Sequence, residues 1–334
     1  MGGEKQIKAG DIANFLSAEI IGNAERLIHR PANIHSACED NLTYCYFKTS
    51  DQEVREISAT KAGVVICSRN LKKRLEHLGP LNQNYPVLIF TENPKLSFSK
   101  VLLRFFVKQF VGPRISSLAV IETDSKIAKS ASIGPGCYIG HFVEVGRNTI
   151  IHPNVTVYDQ SILGERVVLN SGAVIGDEGL EYSRDGGGRL IKTPHIDKVI
   201  IGNNVEVGSN TAIHRGVLQS TIICEGTKIG SNINISHEVN IGKHCIIGPM
   251  TVISGSVKIG NFTYIAPGVT ITNSVSIGEH AFIGIGTLVL DDVPDKTTVV
   301  GHPGEDFKTY KRNRAFLKTL PLTLEKLRVG EIKN

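Results

Sequence analysis

The stretch Ile223-Cys-Glu-Gly-Thr-Lys-Ile229-Gly-Ser-Asn-Ile-Asn-Ile235-Ser-His-Glu-Val-Asn-Ile241 opens a run that continues to Pro294 with an aliphatic residue at every sixth place. The series continues through Ile247, Ile253, Ile259, Ile265, Ile271, Ile277 and Ile283 to Val289. Small or branched residues (Thr227, Ile233, Val239, Thr251, Val257, Val269) stand four places after several of them. A period of six matches neither the turn of a helix, about 3.6 residues, nor the two-residue alternation of a strand. It marks a hexapeptide parallel β-helix, in which three hexads close one triangular coil. One aliphatic per hexad points inward and stacks on its counterpart a coil away, while Gly or Asn at the corners accepts positive φ.

Working outward, the same period begins after Gly112-Pro113 and runs Ile121, Ile127, Ile133, Ile139, Val145, Ile151, Val157, Leu163, Leu169, Ile175. It breaks between Asp177 and Asp197, around Gly186-Gly-Gly and Pro194, resumes at Ile201, Val207 and Ile213, and slips near Gln219. A break this long inside a compact solenoid is expected to be functional. Roughly eight or nine coils at about 4.8 Å spacing predict a prism on the order of 40 Å long. Residues 1–110 lack the period and read as a small α/β domain. Asp11 is the expected N-cap of a helix running to Ile21, and Val64-Val-Ile-Cys and Val87-Leu-Ile-Phe are strand candidates, followed by helices over Leu71–Leu78 and Leu96–Phe110. The prism is assigned to residues 111–303, with the loop at 177–197. Residues 304–334 form a helical tail, Phe307–Leu320 and then Leu322–Val329, interrupted by Pro321. The tail is basic (Lys308, Lys311, Arg312, Arg314, Lys318). It reads either as a cap packed on the prism end or as a docking surface for an acidic or phosphate-bearing donor, and the two are compatible.

Composition narrows the class. A hydrophobic content of 41%, a charged content of 21% and a formal net charge of +5 describe a soluble globular chain and argue against a nucleic-acid surface. The 34 Gly and the absence of Trp suit a β fold with many corners. Cys38, Cys45, Cys67, Cys137, Cys224 and Cys245 show neither CxxC nor ligand spacing, so they read as reduced packing residues and no metal is expected. No signal peptide or membrane span is apparent, and the cytoplasm is the default location.

No Ser-His-Asp order, phosphate loop or dinucleotide fingerprint appears, and Gly186-Gly-Gly lacks the Lys-Ser/Thr of a Walker loop. The candidates are histidines at prism corners. His237 is third in its hexad, and eighteen residues on, one coil away, Gly255 holds the same place. The two are expected to be stacked neighbours about 5 Å apart. An imidazole beside a bare main-chain N–H suits acyl transfer: the ring takes a proton from an attacking amine and the amide steadies the oxyanion. The plainer alternative is a corner histidine that only hydrogen-bonds a carbonyl. Glu238 is expected to face solvent.

The stretch Ile175-Gly-Asp-Glu-Gly-Leu-Glu-Tyr, followed by Lys192-Thr-Pro, Val199-Ile-Ile-Gly-Asn-Asn-Val-Glu-Val-Gly-Ser-Asn-Thr-Ala-Ile-His-Arg-Gly and Ile235-Ser-His-Glu-Val-Asn-Ile-Gly, resembles one family in particular. These are the UDP-3-O-(3-hydroxyacyl)glucosamine N-acyltransferases of the lipid A pathway. Thr60-Lys-Ala-Gly-Val-Val-Ile and Glu92-Asn-Pro-Lys-Leu-Ser-Phe extend the likeness to the N-terminal part, so it covers nearly the whole chain. The resemblance implies a mainly β fold: a left-handed parallel β-helix, a small uridine-binding α/β domain and a helical tail. It implies a homotrimer with sites between prisms, no tightly bound cofactor, and an acyl chain delivered by acyl carrier protein on its phosphopantetheine. Residue by residue, the family's general base falls on His237, its oxyanion glycine on Gly255 and its uracil-stacking aromatic on Tyr44. Arg312, Arg314 and Lys318 become the candidate donor-binding residues.

The chain departs from the family pattern in four places. His214-Arg-Gly stands where Asp-Arg-Gly is usual, and a second family histidine falls near Ser274, beside Asn273. The Asn-Pro after the uracil-stacking aromatic is replaced by Cys45-Tyr-Phe-Lys, and Val299-Val-Gly-His-Pro-Gly resembles the ending of coenzyme-A-dependent hexapeptide acetyltransferases. His214, Asn273 and Ser274 are therefore carried as candidate substrate-binding residues. Three functions are open at this level: N-acylation of a UDP-linked amino sugar from acyl carrier protein, N-acetylation of a nucleotide amino sugar from acetyl-coenzyme A, or a β-helix scaffold without catalysis.

Overall fold

In the computed structural model, residues 6–47, 49–76, 86–107, 114–301 and 306–328 are described. The chain divides into two compact units, Met1–Val111 and Gly112–Asn334. The expected helix ends at Leu78 and Phe110, the Gly112-Pro113 boundary, His302-Pro-Gly and Val329 lie outside the described residues.

In the first unit, a five-stranded sheet runs in the order Glu19–Ile21, Val87–Thr91, Val64–Ser68, Asn41–Tyr44, Arg30–Pro31, with only the first pair antiparallel. Val87–Thr91 is buried along its whole length, and the apolar run without alternation is what a central parallel strand requires. Apolar clusters around Ile12, Ile66 and Ile89 and around Ile57, Val65 and Phe90 pack on the two faces. The first helix starts earlier than expected, at Ala9, and ends at Leu16. Asp11 therefore sits in its first turn, facing the helix dipole, and is not the cap. A left-handed residue at Ser17 then turns the chain so that Ile20 and Ile21 become an edge strand. Asn93 Oδ1 accepts the Leu96 N–H at 3.0 Å and Pro94 opens the helix to Val101, which widens into a π-turn over Leu102–Phe106. A helix over Ser50–Ala59 was not expected from apolar periodicity; only Glu53 and Ile57 of it are buried.

The second unit is a parallel β-helix of three faces with nine, nine and eight strands among the described residues. Each inward aliphatic pairs with its counterpart one coil on: Ile235 with Ile253, Ile253 with Ile271. The interior is a continuous apolar column from Ala131 to Val293. Threonines four places after the aliphatic also point inward, and burial obliges their hydroxyls to find partners. Thr149 Oγ1 donates to the Gly164 carbonyl and Thr227 Oγ1 to that of Gly242, each at 2.8 Å. Asn148, Asn154, Asn204 and Asn210 take positive φ at corners, but so do Phe142, Glu238, Met250 and Phe262. The inter-coil ladder thus imposes the left-handed corner on residues that would not choose it.

The break at 177–197 and the slip near Gln219 are two halves of one feature. The break holds a two-stranded hairpin, Tyr182–Arg184 with Leu190–Lys192. Its return leg bonds the second insertion: Asp197 N–H to the Gly216 carbonyl at 3.1 Å, and Ser220 Oγ to Asp197 Oδ1 at 2.7 Å. Arg215 ties down the exit from the prism, donating to the carbonyls of Gly176 at 2.7 Å and Asp159 at 2.6 Å.

The C-terminal helix runs unbroken through Pro321, from Phe307 to Arg328, which corrects the expected interruption. Phe316, Leu317 and Leu324 are exposed, so this helix is not the packed cap that was one expectation.

Candidate active site

The corner after one prism face collects the candidates. That face carries Ile175, Ile213, Ile235, Ile253 and Ile271, paired from coil to coil, so the residues just beyond them line up along the prism. His214 ends its strand, and His237, Gly255, Asn273 and Ser274 follow theirs. The expected stack is present. A Cβ built on Gly255 would lie 2.5 Å from both Cε1 and Nε2 of His237, so the ring rests against bare main chain. Only glycine leaves room for it.

The Gly255 N–H is donated to Asn273 Oδ1 at 3.1 Å, one coil further on. The same side-chain ladder recurs up the column, where Asp159 Oδ1 accepts the His141 N–H at 2.9 Å. Ser274 takes a left-handed corner conformation and donates its N–H to the Gly255 carbonyl at 2.9 Å. Both side chains are exposed.

The hairpin excursion supplies groups that sequence reasoning missed. Glu181 Oε2 lies 3.2 Å from His237 Nε2, and the Glu181 side chain is 42% exposed. His195, only 3% exposed, packs edge-on against His237 with ring centroids 5.4 Å apart. Its Nδ1 donates to the Thr193 carbonyl at 3.1 Å. Glu178 pairs with Lys192 across the hairpin base and accepts the His195 N–H, and the Lys192 hydrogen bond holds its carboxyl below the usual range. A signal for this was present: the excursion leaves just after Ile175, on the same corner column as His237.

His214 sits beside Asn234, whose Nδ2 lies 3.1 Å from its Nε2. Burial pushes its pKa down, which the nearby Asp177 carboxylate only partly offsets, so the imidazole is neutral at pH 7. Glu238 does not face solvent as expected. It accepts the Leu218 and Gln219 N–H groups at 2.9 and 3.2 Å, and its Oε2 is 3.9 Å from His237 Nδ1. Burial alone would raise the Glu238 pKa, but those N–H groups outweigh it and the carboxyl is lowered. His195 Nε2, His214 Nδ1 and His237 Nδ1 are buried without a hydrogen-bond partner among the described residues. No three His, Cys, Asp or Glu among the described residues converge with metal-ligand geometry.

Tyr44 lies in the first unit, at the end of the Asn41–Tyr44 strand, its ring 4.8 Å from that of Phe98 and tilted by 32°. Arg312, Arg314 and Lys318 are exposed on the C-terminal helix.

A shielded imidazole against bare backbone, with carboxylates on both sides, is equipped for proton transfer at an acyl-transfer centre. The relatives agree. The bacterial transferase hexapeptide family (six repeats) matches residues 142–177. UDP-3-O-acylglucosamine N-acyltransferase 1 of Francisella tularensis subsp. holarctica (strain OSU18) is 37% identical over 338 residues, 95% of each chain. The chain belongs to the UDP-3-O-acylglucosamine N-acyltransferase family. The Coxiella burnetii (strain Dugway 5J108-111) member is 30% identical over 265 residues, 74% of each chain. Among solved structures, UDP-N-acetylglucosamine acyltransferase of Francisella novicida superposes with a TM-score of 0.53 at 29% identity, over 60% of this chain and 73% of its own. As a family member the protein is an N-acyltransferase with a left-handed β-helix, which removes the non-catalytic scaffold from consideration. Among the described residues, no helix is long and apolar enough to cross a membrane.

Proposed function

We propose that the protein transfers a 3-hydroxyacyl group from acyl carrier protein to the amine of a UDP-linked glucosamine already carrying an ester-linked acyl chain. The family name supports the acceptor, since the relatives are UDP-3-O-acylglucosamine N-acyltransferases. His237 takes a proton as the amine nitrogen attacks the thioester carbonyl, and the developing oxyanion displaces Asn273 Oδ1 from the Gly255 N–H. When the tetrahedral intermediate collapses, the carbon–sulfur bond breaks and His237 returns its proton to the leaving thiolate. A preorganised N–H of this kind is worth about 10²–10³ in turnover. The observation that carries the reading is the absence of room for any side chain at position 255 against the His237 ring.

Other assignments follow from this reading. His214, Asn273 and Ser274 line the same corner and contact the sugar. Tyr44, backed by Phe98, offers a face for uracil. Arg312, Arg314 and Lys318 receive the acidic carrier protein. A homotrimer is favoured by the exposed apolar side chains of Ile246, Tyr264 and Phe282 along one prism face and of Val252 and Leu288 on the next. A nucleotide sugar and a carrier-borne acyl group place the work in the cytoplasm. The decisive experiment is mass spectrometry of products after UDP-amino sugars are offered with either 3-hydroxyacyl carrier protein or acetyl-coenzyme A. Amide formed from the carrier-borne chain, and cut by on the order of 10²-fold or more in His237→Ala with the trimer intact, is the expected result. Acetylation alone, or near-normal turnover of the variant, would refute it.

A further inference from the structure

Acylating an amine releases one proton more than acylating a hydroxyl. At neutral pH the acceptor arrives as an ammonium with three hydrogens on nitrogen. The amide keeps one and the departing thiol takes one, so one must leave the site. His237 accounts for the proton that reaches the thiol. Something else has to carry the other.

The contact between Glu181 and His237 bears on this. Glu181 Oε2 and His237 Nε2 lie 3.2 Å apart as a close ion-pair contact. Nδ1 is buried where no acceptor nitrogen can reach it, so Nε2 is the ring atom that meets the amine. Glu181 therefore stands where the incoming nitrogen must come, and that nitrogen, as an ammonium, is a donor for the carboxylate. We propose that Glu181 binds the acceptor's ammonium and takes its surplus proton to solvent, making this carboxylate the group that selects an amine. This rests on the N-acyl transfer proposed above and names how that site handles its acceptor.

The step balances. The ammonium donates to Glu181 Oε2 beside His237 Nε2, the ring acting in the tautomer that carries its hydrogen on Nδ1, on the side of Glu238 Oε2 at 3.9 Å. The ammonium gives one proton to the Glu181 carboxylate, which passes it to water from its half-exposed position. The neutral amine attacks the thioester and loses its second proton to His237 Nε2, which delivers it to the thiolate. The other charged or titratable groups around the pair are already engaged or distinct: Lys192 is held by Glu178, Glu238 by the Leu218 and Gln219 N–H groups, and His195 by the Thr193 carbonyl. Asp177 and the neutral His214 lie beyond, on the prism side.

The test is the pH profile of kcat/KM for the amino-sugar acceptor in the parent, Glu181→Gln and Glu181→Asp enzymes. A charge-assisted hydrogen bond lost to the ammonium predicts that Glu181→Gln falls by about 10- to 100-fold near pH 6.5. The deficit should close to within about 3-fold once the pH exceeds the amine's own pKa, where no ammonium needs binding. Glu181→Asp, keeping the charge, should recover most of the low-pH rate. The side chain lies on the hairpin surface, and equal thermal melting of the three proteins shows that folding is not the cause. A deficit of the same size at every pH, or no deficit, overturns the proposal while leaving N-acyl transfer intact. Failure of the parent enzyme to acylate the amine at any pH overturns both.

Discussion

Substituting Gly255 by alanine tests the centre of the site with one methyl group. The added Cβ would lie 2.5 Å from Cε1 and Nε2 of His237 and 3.2 Å from Cδ2. Carbon contacts are comfortable from about 3.5 Å, so the ring must retreat by about 1 Å. The backbone raises no objection, because Gly255 is not in the left-handed region. The obstacle is the end of a side chain that can swing, so the stability cost is at most about 1–3 kcal/mol. Catalysis is less forgiving: a base misplaced by about 1 Å loses on the order of 10²-fold, which is about 2.7 kcal/mol of transition-state stabilisation. Steady-state kcat/KM for amide formation, read beside thermal melting, separates the two effects. The double variant with His237→Ala should be little worse than His237→Ala alone, since a base already removed cannot be displaced. A Gly255→Ala enzyme that folds and works within about 3-fold of the parent would refute the reasoning.

Three further outcomes follow from the same geometry. Asn273→Asp puts a charged acceptor on the Gly255 N–H and repels the oxyanion, so kcat should fall by on the order of 10²-fold, whereas Asn273→Ala should cost far less; equal losses would remove the oxyanion role from Gly255. Burial holds His214 below its ordinary value of 6.5, so the unfolded chain takes up this proton first. The stability it contributes is complete above about pH 6.5 and is lost as the pH falls through the folded-state value; thermal melting of His214→Gln should show a shallower acid decline, and an identical decline would contradict the assignment. Reversing the charges of Arg312, Arg314 and Lys318 together should raise KM for a carrier-protein donor, with a weaker salt dependence left behind. It should not change KM for the same acyl chain on coenzyme A, and a parallel rise would deny the tail a docking role.

The repeat made the prism legible, because every inward aliphatic from Ile121 to Val289 announces its face by its spacing alone. The same arithmetic put His237 and Gly255 a coil apart, and the strand pairing of Ile235 with Ile253 delivers them together. The first unit was less readable. Val64–Ser68 and Val87–Thr91 declare themselves as apolar runs, but Ser50–Ala59 buries too few side chains to leave a periodic trace. Pro321 broke the expected tail helix but not the observed one. The ending at His302-Pro-Gly lies outside the described residues.

Register within a solenoid is a counting problem, so the sequence by itself determined the β-helix, its corner column and the partnership of an imidazole with a glycine. An excursion has no such rule. Where Glu181 and His195 come to rest depends on Arg215 gripping the exit carbonyls and on Asp197 bonding a second insertion, Gly216 and Ser220, further along the chain. Those bonds join segments whose separation carries no period. Only the tertiary structure could bring a carboxylate down onto the base, turn Glu238 inward and hand the Gly255 amide to Asn273.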